Sequence, residues 1–118
     1  MDRKALIREY KEARRPMGVF QVRNVQDGRV YVGTSVDLPS MLNRQRAQLR
    51  MGAHPDKVLQ ADWQALGPDA FTFDILDTLD PPDEPGYDPA ADLRTLEELW
   101  RAKVEAAGGA VYNPARQR

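Results

Sequence analysis

The stretch Gly18-Val19-Phe20-Gln21-Val22-Arg23-Asn24-Val25-Gln26-Asp27-Gly28-Arg29-Val30-Tyr31-Val32-Gly33 decides how this chain folds. Apolar and polar residues roughly alternate on both sides of Asp27-Gly28, as half-buried strands do. An Asp-Gly pair between two such runs signals a hairpin, because glycine tolerates the positive φ that the turn needs. The spacing predicts a β-hairpin with Phe20 and Tyr31 on its two strands. Pairing around Asp27-Gly28 brings such rings close across a sheet. From these residues alone, the two rings serve either as core or as part of a site.

Working outward, Thr34-Ser35-Val36 reads as a short connection. Asp37 is a helix cap, with Pro39 tolerated in the first turn. That helix runs to about Met51 and stops at Gly52. Leu38, Leu42 and Leu49 form its apolar stripe. Met41, Arg44 and Gln48 share one flank, and Arg46 and Arg50 the other. A second helix, capped by Asp56, carries Leu59, Trp63 and Leu66 and ends at Gly67-Pro68. His54, just before it, reads as a surface or loop residue. Phe71-Thr72-Phe73-Asp74-Ile75-Leu76 alternates as a third strand, with Phe71, Phe73 and Ile75 inward. The acidic, proline-rich run from Asp80 to Pro89 is a loop. A last helix spans about Ala90 to Ala107, and Val111-Tyr112-Asn113-Pro114 follows as an extended tail. Upstream, residues 2–15 are rich in helix formers, with Leu6, Tyr10 and Ala13 on one face, and Pro16 stops them. Arg14 and Arg15 there either touch phosphates or belong to a solvated helix face.

Composition narrows the function. At 118 residues the chain is long enough for one core. It has no cysteine and one histidine, which removes disulfides, thiolate metal sites and a His-rich zinc site. No apolar run approaches membrane-spanning length and the N-terminus is charged rather than signal-like, so a cytoplasmic protein without a membrane partner is expected. Residues 1–60 carry a charge balance of +6 and residues 61–118 one of -7, giving the net -1. Such asymmetry either builds a basic face for a polyanion or is interleaved by folding.

One carboxylate stands out. The last helix buries Leu93, Leu96, Trp100 and Val104, and at about 100° per residue Glu97 falls inside that stripe. A carboxylate in an apolar face is costly unless it is paired, hydrogen-bonded or bound to a cation, or reaches solvent at the rim.

Taken in order, these pieces resemble the GIY-YIG nuclease family over about residues 17–114. The resemblance rests on Gly18-Val19-Phe20, Tyr31-Val32-Gly33 with Thr34-Ser35, and Asp37-Leu38. It continues through Leu59-Gln60-Ala61-Asp62-Trp63, Gly67, Phe71-Thr72-Phe73, Glu97 with Trp100, and Tyr112-Asn113. It implies an α/β (α+β) domain: a three-stranded antiparallel sheet flanked by helices. Here an extra N-terminal helix over residues 1–16 and a basic tail over 115–118 would flank it. It also implies phosphodiester hydrolysis with a divalent cation, magnesium or manganese, held by Glu97. Tyr31 matches the tyrosine placed near the attacking water, and Asn113 the asparagine that braces the site. Two positions depart from the pattern. Phe20 keeps the ring of the first triplet but loses its hydroxyl, and Met41 stands where an arginine is expected. Arg44, one turn on, is the candidate replacement for that arginine.

The resulting expectation has Tyr31, Glu97, Arg44, Asn113 and Phe20 in the catalytic set. Arg14, Arg15, Arg46, Arg50 and His54 are the expected nucleic-acid contacts. DNA is the expected substrate, with RNA left open. The alternatives are a nucleic-acid-binding domain without catalysis, or a protein-interaction module suggested by the acidic loop.

Overall fold

A computed structural model of the chain describes Arg3 and residues 15–113. Apart from Arg3, Arg15 and Pro16, the helix expected over residues 1–16 lies outside the described residues, as do Arg14 and the tail over 115–118. The elements are β1 (Met17–Asn24), β2 (Val30–Ser35), α1 (Leu38–Arg50), α2 (Lys57–Leu66), a 3₁₀ turn (Pro68–Ala70), β3 (Phe71–Leu79) and α3 (Ala90–Ala106). The strands form one antiparallel sheet in the order β2-β1-β3. This is an α+β fold.

The hairpin forms around Asp27-Gly28, with Gly28 at φ 81° and its N–H donating to Asn24 O. Val22 faces Tyr31 across the two strands, and Phe20 faces Gly33. Thr34 and Ser35, expected in a connection, instead extend β2 by pairing with Val19 and Gly18. Two glycines are set by close approach. A Cβ on Gly33 would lie 2.6 Å from the Phe20 ring. One on Gly18 would lie 2.0 Å from the Asp77 carbonyl oxygen, and Gly18 also has φ 155°.

Side-chain alternation divides the core between the two faces of the sheet. On one face, Phe20 and Val22 pack with Leu38 and Leu49 of α1, Leu59 and Trp63 of α2, and Phe71. On the other, Val19, Val30 and Val32 receive Leu96, Trp100 and Val104 of α3. Near Val19 and Phe20 the β3 register slips, so Phe20 faces Ile75 while Val19 faces Asp77. Leu76 is the extra residue of this bulge, which shifts the alternation of β3. That corrects one expectation: Ile75 is 45% exposed rather than inward, and Leu76 packs against the α3 side. Leu66, expected on the α2 stripe, is likewise exposed, because α2 turns Leu59, Gln60 and Trp63 inward.

The faces also differ in charge. The α1 helix carries Arg44, Arg46 and Arg50 and no acid. On the other face, α3 mixes Asp92, Glu97, Glu98 and Glu105 with Arg94, Arg101 and Lys103.

Candidate functional site

The outer edge of β2 is where elements from both faces meet. Val30 and Val32 have no strand partner on that side, so their backbone groups need other acceptors and donors. The C-terminal segment supplies them. Val30 N–H donates to Ala110 O, and Tyr112 N–H donates to Val30 O at 2.7 Å. At the next rung a side chain replaces the backbone. Val32 N–H donates to Asn113 Oδ1 at 3.0 Å, and Asn113 Nδ2 donates to Val32 O at 2.6 Å. Asn113 thus completes the edge of the strand that carries Tyr31.

Tyr112 anchors this segment. Its hydroxyl donates to Asp62 of α2 at 2.6 Å and accepts from buried Asn24 at 3.1 Å. Burial first, and then the Asp62 carboxylate, push this hydroxyl up to about 12. Arg29 stacks on the Tyr112 ring at 4.7 Å and reaches Asp62 at 2.7 Å.

Glu97 approaches the same edge from α3. It is half-buried, and its Oε1 accepts from Arg101 Nη2 at 3.1 Å. The same Nη2 lies 3.4 Å from Val32 O, the carbonyl that Asn113 also holds. Arg101 Nε is buried with no hydrogen-bond partner among the described residues. So a carboxylate inside the apolar stripe is paired, as its burial requires.

Tyr31 belongs to this neighbourhood by its charge environment. Burial raises its hydroxyl above the ordinary tyrosine range, and the Asp56 and Glu97 carboxylates raise it further, while Arg101 opposes them. Its ring lies 6.3 Å from that of Phe20 and stands edge-on to His54 at 5.0 Å.

His54 is a correction. It sits on a loop, as expected, but is fully buried, so it cannot meet a phosphate. Its Nδ1 accepts from Asp56 N–H at 3.0 Å, which leaves the proton on Nε2, donated to Gln45 Oε1 at 2.6 Å. Its own N–H donates to Gln60 Oε1, and Gln60 Nε2 donates to Leu49 O. Burial lowers the His54 pKa and keeps the ring neutral.

The remaining expected residues divide. Phe20 is 2% exposed and acts as a core ring over Gly33. Met41 packs against the core, its sulfur accepting from Gln45 at 3.5 Å. Arg44 and Arg50 are exposed on α1. Arg46 lies over the Phe73 ring at 4.6 Å, so it is fixed above β3, at the far side of the sheet from β2. Arg15 reaches Asp37 at 3.8 Å, at the start of α1. The structure brings Tyr31, Glu97 and Asn113 to one edge and holds Arg46 away from it.

Sequence reasoning missed Arg101, Gln45 and Gln60. The signal for Arg101 was its position four residues after Glu97 on one helix. Gln45 falls seven residues after Leu38 and four before Leu49, on the buried stripe itself.

A hard cation suits this donor set in kind. Magnesium is commonly held by one or two carboxylates and several waters, and Glu97 is a half-buried carboxylate with one oxygen outside the Arg101 bond. Among the described residues no group of three or more His, Cys, Asp or Glu side chains is placed to hold a metal ion. No helix among the described residues is long and apolar enough to cross a membrane.

Comparison with known proteins agrees with this architecture. The fold matches the catalytic domain of the homing endonuclease I-TevI, at 25% identity and a TM-score of 0.67, over 85% of this chain and 99% of that one. A point mutant of the same catalytic domain, described as that of an intron endonuclease, matches at 22% identity and a TM-score of 0.66, over 87% and 99%. No protein-family model and no curated protein matches the sequence. These structural neighbours are of a GIY-YIG homing endonuclease, so the fold that the two triplets imply is the fold observed.

Proposed function

We propose that this nuclease-like domain hydrolyses phosphodiester bonds of DNA at the outer edge of β2. The observation that carries the reading is that Asn113 and the Glu97–Arg101 pair both meet the carbonyl of Val32, the residue next to Tyr31 on the outer strand. The carboxylate of Glu97 would hold a divalent cation. That ion, when bound, stabilises charge on the phosphate and on the leaving oxygen. Burial, with the Asp56 and Glu97 carboxylates, raises the Tyr31 pKa, so the hydroxyl keeps its proton at neutral pH and orients the attacking water by a hydrogen bond rather than taking its proton. Asn113 fixes the strand that presents Tyr31. The exposed Arg44 and Arg50 of α1 contribute backbone contacts that position the duplex without reading its sequence.

The loss of the Phe20 hydroxyl predicts slow turnover, by about 10²-fold or more for one proton-transfer group. Incubation of supercoiled plasmid with manganese or magnesium tests the reading. Wild type nicks the plasmid and Glu97→Ala does not. Equal nicking by both marks a contaminant and removes the enzyme reading.

A second reading is favoured by the guanidinium of Arg101 on Glu97 and by the packing of Met41 against the core, where an arginine is expected. In that reading the domain binds nucleic acid without cutting it. It predicts salt-sensitive DNA binding and no nicking in any divalent cation.

A further inference from the structure

Beside the cation that Glu97 would hold, the proposed site needs a donor at a fixed place to orient the phosphodiester. Arg44 and Arg50 are exposed, and the Arg46 guanidinium is occupied by Phe73 above the opposite edge strand. Arg101 differs from them. Its side chain is 14% exposed, and Nη2 is tied to both Glu97 and Val32 O. The edge carbonyl that it touches is the one Asn113 holds, and its charge acts on the Tyr31 hydroxyl.

We infer that Arg101 is the phosphate-contacting arginine of this site, its guanidinium donating to a non-bridging oxygen of the phosphodiester beside Glu97. The contact falls to the exposed part of the guanidinium, since Nε is buried and out of a ligand's reach. Guanidinium donors are set in a rigid fork that matches phosphate geometry, which a lysine does not reproduce. The ion pair with Glu97 holds that fork in place before the phosphate arrives. This rests on the reading of the β2 edge as a phosphodiester site.

The test is binding, which needs no turnover. A labelled DNA duplex is titrated with protein across a salt series in EDTA. Arg101→Gln lowers the slope of log affinity against log salt by about 0.9, the signature of one lost phosphate contact. Affinity falls by about 10-fold. Arg101→Lys keeps the slope and loses affinity several-fold, because charge remains and the fork is gone. An unchanged slope and affinity in Arg101→Gln overturns the inference and leaves Arg101 as a brace for Glu97. If Arg101→Gln melts more than about 10 °C below wild type, the lysine variant decides, and unchanged affinity in it overturns the inference. A changed slope with no nicking by wild type removes hydrolysis and keeps the contact. Nicking with no change in slope removes the contact and keeps hydrolysis.

Discussion

Two polar clusters lie on either side of Tyr31, and they differ in how completely they are satisfied. His54, Gln45 and Gln60 form the closed one. Each ring nitrogen of His54 has a partner, its N–H is held by Gln60, and Gln60 also holds Leu49 O. The open one is Glu97, Arg101 and Asn113. There the carboxylate keeps one oxygen outside the Arg101 bond, Nε is orphaned, and both charged side chains are only partly covered. A satisfied buried network fixes a unique core, whereas an incomplete one at a surface edge leaves capacity for a ligand. So the histidine, which chemistry would nominate first, holds structure here, and the glutamate on the helix stripe keeps one oxygen outside its ion pair.

This contrast sets the expected size of each perturbation. The largest loss of stability falls on the closed cluster. His54→Ala opens a cavity and strands Gln45 and Asp56 N–H, costing about 2–4 kcal/mol in urea unfolding. A loss below about 1 kcal/mol would mean that the network is slack.

A smaller effect comes from pH. The folded His54 pKa is lowered from 6.5, so the unfolded state binds a proton first as pH falls. Stability from this group is full above pH 6.5 and is lost as pH drops through the lower, folded value. With one histidine in the chain, no other side chain has an ordinary pKa between carboxylates and neutrality. The melting temperature of wild type therefore declines from pH 6.5 toward 5, and that of His54→Gln stays flat. Identical profiles would contradict the burial argument.

The smallest effect falls on the open cluster. Glu97→Gln changes unfolding free energy by no more than about 1 kcal/mol, since a partly exposed ion pair adds little and the amide oxygen still accepts from Arg101.

Much of this contrast was half visible in the sequence. The hairpin, its Asp-Gly turn and the caps at Asp37 and Asp56 are local chemistry, and both caps form as their side chains require. Glu97 was legible because helical periodicity alone places it among apolar neighbours. Pairing by Arg101 was not, since the same spacing leaves many such arginines in solvent. The direction of Ile75 was lost to a bulge, a property of strand pairing that alternation along one strand does not encode. His54 misled for a related reason. Its loop position suggests exposure, and only the convergence of Gln45, Gln60 and Tyr31 from three other elements buries it.

The most direct measurement is calorimetric titration of manganese into wild type, Glu97→Gln and His54→Gln at neutral pH. The account predicts one site in wild type, its loss in Glu97→Gln, and its retention in His54→Gln. Manganese binding that survives Glu97→Gln unchanged, or that vanishes with His54→Gln in a folded protein, would contradict the assignment of the open cluster as the cation site.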